Sequence, residues 1–191
     1  MKLDPNKTWR LVEERLASET NPARRHSLEL VAAHMRAEAR ADIDGVLATL
    51  TESPRYAIHS NPDDPVMNPV GSKEAVREFY FTTVVRPGAH RLEFDVDRVI
   101  VDDDAVFTEG LMRIAYPGST LAAMGIDVDD PEAYYLSESR LGIVWPVDHR
   151  ENRLTGEEVY SSGEGFSGIA GRKIALSDIA EIVDAPALAP R

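Results

Sequence analysis

Residues 91–116 read RLEFDVDRVIVDDDAVFTEGLMRIAY, and this stretch decides the fold. Apolar and acidic residues alternate from Leu92 to Asp97, the period-two pattern of a strand with one buried face. Val99 and Val101 have the opposite parity, so we expect a β-bulge near Asp97-Arg98 that bends the strand. The aspartates at 102–104 favour a turn, because Asp tolerates turn backbone. The second strand, at 105–116, is too long for a small flat sheet, so the hairpin predicts a strongly curved sheet.

Outward from this hairpin, helical patterns precede it and strand patterns follow it. Apolar residues recur at helical spacing in residues 7–18, 22–41, 43–50 and 72–85. A short strand is expected at 55–59, two longer strands at 134–147 and 154–161, and a short terminal helix at 174–183. Helices that cover one face of a curved antiparallel sheet make an α+β half-barrel. We predict a helical extension at 1–25, a single α+β domain at 26–184 and a flexible tail at 185–191.

The composition excludes several classes of function. The chain of 191 residues carries a formal net charge of −12, which argues against binding to nucleic acid or to an anionic membrane. It has no cysteine, which excludes disulfides and thiolate metal sites and fits a cytoplasmic protein. No apolar run approaches the roughly 20 residues of a membrane span. Dinucleotide, phosphate-loop and nucleophile-elbow motifs are absent, so no cofactor is expected.

Four stretches carry a family resemblance: AEARADIDGVLATL, GSKEAVREFY, FDVDRVIVDDDAVFTEGLMRIAY and RLTGEEVY. Their order and spacing resemble the SnoaL-like branch of the nuclear transport factor 2-like superfamily, over residues 26–160. That superfamily includes polyketide cyclases, ketosteroid isomerase, scytalone dehydratase and limonene epoxide hydrolase. The resemblance implies a cone in which helices and a curved sheet enclose a deep apolar pocket. It also implies a homodimer, and it leaves the reaction open because this fold hosts many functions.

The resemblance also orients the second strand of the hairpin. Positions that match Gly110 and Met112 face the pocket in relatives, so residues of the same parity are expected to face inward: Val106, Thr108, Ile114 and Tyr116. Phe107, Glu109, Leu111 and Arg113 are then expected to face outward. Limonene epoxide hydrolase needs Arg and Asp at the positions of Gly110 and Met112 and a further Asp near Val159, so that triad is absent. The ketosteroid isomerase pattern of a base Asp with a Tyr and a protonated Asp cannot be placed either.

His34 and Glu38 are the candidate catalytic residues. His34 lies beside the apolar stripe of the second helix, and Glu38 follows one turn later, where a carboxylate would hold the imidazole ring. The alternative is a structural histidine that is bonded to Glu38 or to water. A metal site is not expected, because further ligands are not evident. Glu109 and Arg113 share a face and are expected to pair with each other or across a dimer, so we predict that Glu109 is not catalytic.

Other polar and aromatic residues are candidates for binding a ligand, and each has core packing as its alternative role. The set is Tyr56, His59, Tyr80, Thr108, Met112, Tyr116 and Trp145. Strand alternation places Tyr56 and His59 on opposite faces, so at most one of them is expected to enter the pocket. Tyr80 and Tyr116 are the candidates for polarising a ligand oxygen.

Three functions remain open at this point. The first is a cofactor-free isomerase, dehydratase or cyclase that acts on an apolar polyketide, terpenoid, steroid-like or other polycyclic substrate. The second is a non-catalytic module that binds a small apolar ligand in the same pocket. The third is a protein-interaction module that uses the outer face of the sheet. No nucleic-acid or membrane partner is expected.

Overall fold

A computed structural model describes residues 2–163 and 165–183, and the predicted tail at 185–191 lies outside the described residues. The helices are α1 (Lys7–Ser18), α2 (Pro22–Ala39), α3 (Ile43–Ala48), α4 (Lys73–Tyr80) and α5 (Gly118–Ala123). The strands are β1 (Leu50–Ile58), β2 (Leu92–Val101), β3 (Ala105–Pro117), β4 (Tyr134–Asp148), β5 (Arg153–Ser162) and β6 (Lys173–Ile174). A π-helical turn, Phe81–Val85, extends α4, and short 3₁₀ turns occupy Ile169–Gly171 and Leu176–Asp178.

The strands form one curved, unclosed sheet in the order β1-β5-β4-β3-β2, and β6 pairs with the start of β4. Every pairing is antiparallel except that of β1 with β5, which is parallel. The predicted α+β class with a curved sheet and covering helices is therefore confirmed, with one parallel edge that the strand patterns did not predict. The connection permits this direction, because β1 and β5 are far apart in the chain and parallel neighbours need a long crossover rather than a hairpin.

The predicted bulge lies where the change in parity placed it. The register between β2 and β3 shifts between Val96 and Arg98, so Asp97 is the extra residue. At this point the two backbones come close together. A Cβ on Gly110 would lie 2.3 Å from the carbonyl oxygen of Asp95, so a residue with any side chain would clash there.

The helices and the concave face of the sheet share one hydrophobic core. Both layers contribute to it, as five buried residues from helices and strands show: Leu47, Val76, Phe79, Phe94 and Ile143. Trp9, Val12 and Leu16 of α1 join the same core, so the first helix packs with the rest of the domain.

Two local predictions are wrong, and contacts between distant parts of the chain explain both. Strand β1 begins at Leu50 rather than at residue 55, because Leu50 pairs with Leu154 of β5. Residues 174–183 do not form a helix. Their backbone instead pairs with the start of the chain, where the Leu3 N–H donates to the Asp178 carbonyl at 2.9 Å and the Ala180 N–H donates to the Leu3 carbonyl at 2.8 Å.

Candidate functional site: a buried histidine–tyrosine–glutamate cluster

Strand β3 presents the predicted faces over most of its length. Four residues of the predicted inward parity are in the interior: Val106, Met112 and Ile114 contact the main core, and Thr108 is fully buried. Glu109 and Arg113 are on the opposite face, where both form ion pairs. Tyr116 has the inward parity but joins a separate apolar cluster, in which its ring meets Phe166 at 5.2 Å.

His34 of α2 is completely buried at the centre of the cone. Its Nδ1 lies 2.7 Å from the Thr49 hydroxyl, just before β1 begins. Its Nε2 lies 3.0 Å from the Tyr80 hydroxyl at the end of α4. The indole of Trp145 meets the imidazole edge-on at a centroid distance of 5.3 Å. Thr49 and Tyr80 therefore hold the two ring nitrogens, and the Trp145 contact helps to fix the plane of the ring.

The hydrogen bonds of Thr49 determine the tautomer of His34. The single hydroxyl proton of Thr49 is donated to the Val46 carbonyl at 2.6 Å. The same oxygen must then accept the bond from His34, so Nδ1 carries a proton. A neutral His34 therefore has its lone pair on Nε2, the nitrogen that faces the interior hydroxyls.

Nε2 faces two tyrosines and a carboxylate. The Tyr80 hydroxyl donates to Glu157 Oε1 at 2.9 Å and lies 3.2 Å from the Tyr56 hydroxyl. Tyr56 OH is 3.4 Å from His34 Nε2, and Glu157 Oε1 is 3.1 Å from the same nitrogen. We call His34, Thr49, Tyr56, Tyr80 and Glu157 the inner cluster. Because the Tyr80 proton is donated to Glu157, a neutral His34 can accept a hydrogen bond at Nε2 from Tyr56, whereas a protonated His34 donates one to Glu157.

Sequence reasoning did not identify Glu157. The available signal was strand parity, because Glu157 lies two residues before Val159, a residue of the core, and so shares its face. The predicted pairing of His34 with Glu38 is not observed. The polar partners of His34 are Thr49, Tyr80, Tyr56 and Glu157, because the ring points away from its own helix towards β5.

The interior shifts the titration of the groups around His34. Burial, together with the charge of Glu157, raises the pKa of the Tyr56 and Tyr80 hydroxyls well above the ordinary value for tyrosine. Both therefore remain protonated hydrogen-bond donors at physiological pH. Burial and the nearby charge of Glu157 also raise the pKa of Glu38 to about 8, so its carboxyl holds a proton at neutral pH.

The remaining ligand-binding candidates lie in three places. Thr108 is buried beside the inner cluster and accepts a hydrogen bond from the Trp145 indole N–H at 2.9 Å. Met112 is half-buried against the core. His59 is exposed, and its ring stacks on Tyr160 at 4.2 Å, so Tyr56 and His59 point to opposite faces as predicted.

Within residues 2–163 and 165–183, no group of three or more histidine, aspartate or glutamate side chains is arranged to hold a metal ion. Over the same residues, the helices are too short or too polar to cross a membrane.

Comparisons with known proteins place the chain in a large structural group. The family model of the SnoaL-like domain matches residues 31–130, about half of the chain. A search of curated proteins finds no match. A protein of Shewanella putrefaciens, named for its likeness to the polyketide cyclase SnoaL, superposes with a TM-score of 0.61 at 10% identity over 84% of this chain and 93% of its own.

Two further solved structures contain small molecules. Rv0760c from Mycobacterium tuberculosis, in complex with estradiol-17β-hemisuccinate, has a TM-score of 0.52 at 18% identity and covers 71% of this chain and 92% of its own. TerC, co-crystallised with polyporic acid, has a TM-score of 0.53 at 12% identity and covers 72% of this chain and 92% of its own. At these identities the similarity establishes the fold alone.

Proposed function

Because this chain belongs to the SnoaL-like domain family, we propose that it binds a small apolar molecule inside its cone and catalyses a cofactor-free proton transfer on it. Isomerisation, dehydration and cyclisation are the reactions of this type. The observation that carries the proposal is the buried His34 Nε2, within 3.4 Å of two tyrosine hydroxyls and a carboxylate. A buried cluster of titratable groups with raised pKa values is a candidate functional site on physical grounds.

Each member of the inner cluster has a role in this proposal. The neutral His34 takes a proton from a carbon next to a ligand carbonyl, through the Nε2 lone pair that Thr49 orients. Tyr56 or Tyr80 donates a hydrogen bond to the ligand oxygen and stabilises the enolate that forms, since the raised pKa of each keeps it protonated. Glu38, protonated at neutral pH, donates a proton to the enolate as the general acid and then regains one from the protonated His34, so both groups end in their starting states.

Partly accessible residues on the concave face support a binding space. Met112, Ile114 and Leu141 contact the core, yet each remains half-buried rather than fully covered. Their apolar side chains would form a wall for an apolar ligand. Two solved structures of the same fold, Rv0760c and TerC, contain small molecules, which supports a binding space of this kind.

Hydrogen–deuterium exchange on a ketone tests this proposal. The probe is 2-acetylnaphthalene, which is apolar, fluorescent and bears exchangeable protons next to its carbonyl. We expect the protein to bind it and to accelerate exchange of the methyl protons in D₂O, followed by NMR. His34→Phe should abolish the acceleration, and Glu109→Gln on the outer face should retain it.

The other outcomes of that experiment separate the alternatives. Binding without accelerated exchange would contradict catalysis and favour the non-catalytic ligand-binding module. The absence of binding would contradict both and favour the protein-interaction module.

We also propose that the outer face of the sheet forms a homodimer. Ile100 is 54% exposed and pairs with Phe107 on this face, and Tyr160 is 48% exposed. A contiguous apolar row of this kind is unfavourable in water unless a second surface covers it. Light scattering at micromolar concentration should give the dimer mass, and Ile100→Asp should shift it towards the monomer. Val66→Asp, at an exposed loop position, is the matched control, and a monomeric wild type would overturn the proposal.

A further inference from the structure

Three glutamates are buried in the described chain, and two of them have a basic partner. Glu19 accepts a bond from the Arg15 guanidinium at 2.6 Å. Glu93 accepts one from Arg113 at 2.6 Å and lies 3.4 Å from Lys7 Nζ. Glu157 differs from both, since its polar contacts are the Tyr80 hydroxyl and His34. Among the described residues, neither carboxylate oxygen of Glu157 has a lysine or arginine partner.

The surroundings of Glu157 do not supply the missing positive charge. Among the residues that the structure describes, no lysine or arginine is buried. Arg36 of α2 faces α1, where it pairs with Glu13 and lies over the Trp9 ring. Arg40 also lies over the Trp9 ring, and it is exposed. Arg36 and Arg40 therefore both lie beside Trp9.

Glu38 adds a second carboxyl group to this part of the interior. Burial, and after it the charge of Glu157, raises the pKa of Glu38 and favours its protonated form. The charge of Glu157 would act in the same direction on a ligand carboxylate. A protonated His34 can balance one carboxylate, that of Glu157. A ligand carboxylate beside them would lose its hydration and have no second cation to pair with among the described residues, and placing like charges together disfavours binding.

We propose that this site selects against anions and takes ligands whose buried end is an uncharged oxygen function, such as a ketone or a hydroxyl. The inference rests on the proposed function, because it concerns the ligand of the same site. An uncharged carbonyl can accept a hydrogen bond from Tyr56 or Tyr80, and an uncharged hydroxyl can donate one to Glu157. Either ligand group therefore forms hydrogen bonds with the inner cluster without adding a charge.

A matched pair of probes tests the selection. The ketone is 2-acetylnaphthalene and the anion is 2-naphthoate, which has the same ring and nearly the same size. We expect the ketone to bind at least about tenfold more tightly than the carboxylate at pH 7.5, measured by fluorescence titration. Glu157→Gln should narrow that ratio by improving the affinity for naphthoate. Glu109→Gln, which removes a carboxylate from the outer face, should leave the ratio unchanged.

The possible outcomes separate this inference from the proposed function. Equal affinity for the two probes would overturn the charge selection and leave the pocket intact. Binding of neither probe would overturn both. A ratio that Glu157→Gln leaves unchanged would assign the selection to shape and overturn the electrostatic argument. If Glu157→Gln does not fold, Glu38→Gln tests the electrostatic argument at pH 9, where the native Glu38 is ionised. The affinity ratio should then be smaller in the variant than in wild type, and an unchanged ratio would overturn the argument.

Discussion

The two faces of the sheet hold carboxylates in opposite surroundings. On the outer face, Asp97, Arg98, Glu109 and Arg140 form what we call the outer network, in which Arg140 contacts Asp97 at 2.6 Å and Glu109 at 2.9 Å. Its members are at least partly in water. In the inner cluster, Glu157 meets His34 and Tyr80, away from water and from lysine and arginine.

The difference shows which charges can do chemistry. An arginine cannot release its proton in this pH range, and Arg140 lowers the pKa of Asp97, so that carboxyl group stays ionised. In the inner cluster His34, Tyr56, Tyr80 and Glu157 are hydrogen-bonded groups that can take up or release a proton. The central position of Glu109 on β3 is therefore a poor guide to function, and burial without arginine is a better one.

The largest expected effect comes from removing the centre of the inner cluster. His34→Phe leaves Thr49 and Glu157 buried without their shared partner, so we expect the free energy of unfolding to fall by about 2–4 kcal/mol. Urea denaturation followed by circular dichroism measures the change. A loss no larger than that of Glu109→Gln would contradict the distinction between the two faces.

The next effect is the pH dependence that Glu38 gives to stability. Its folded pKa of about 8 lies above the unfolded value near 4.3, so the folded state binds the extra proton and stability falls as pH rises between those values. Between pH 5.5 and 8, wild type should lose on the order of 2 kcal/mol more than Glu38→Gln, after allowance for the partial exposure of Glu38. Denaturation curves at both pH values measure this, and parallel losses in the two proteins would contradict it.

A smaller effect is expected from changes at Thr49, which test the orientation of the His34 ring separately from the stability of the protein. Thr49→Val removes the acceptor of the His34 Nδ1–H and should destabilise the protein by about 1–2 kcal/mol, whereas Thr49→Ser retains the hydroxyl. Nitrogen-15 NMR of the imidazole should show the Nδ1-protonated tautomer in wild type and Thr49→Ser, with that preference lost in Thr49→Val. The Nε2-protonated tautomer in wild type would show that the assignment is wrong.

The smallest effect is expected on the outer face. Glu109→Gln breaks contacts to Arg98 and Arg140 that water screens, so the free energy of unfolding should change by about 0–1 kcal/mol. The same denaturation assay measures the change, with and without roughly 0.5 M added salt, which screens exposed charges. A loss above about 2 kcal/mol would show that Glu109 stabilises the protein as a buried ion pair does, and it would contradict the difference between the two faces of the sheet.

The amino-acid sequence by itself determined the local geometry of this protein. Alternation in residues 91–116 predicted the hairpin, its bulge at Asp97 and the faces of β3, because strand parity and bulges depend on neighbouring residues alone. It also identified His34, Tyr56 and Tyr80 as candidates. Within one chain Glu109 does not pair with Arg113, because the bulge brings Arg98 opposite Glu109 while Arg113 pairs with Glu93 and Glu138.

Only the tertiary structure decided which side chains meet inside the cone. His34 bonds to Glu157, 123 positions away, rather than to Glu38 on its own helix. Periodicity states which face of an element is buried, but the direction of a ring across the core depends on how α2, α4 and β5 pack together. The parallel pairing of β1 with β5 likewise depends on contacts across the sheet, and that pairing places Tyr56 directly beside Glu157.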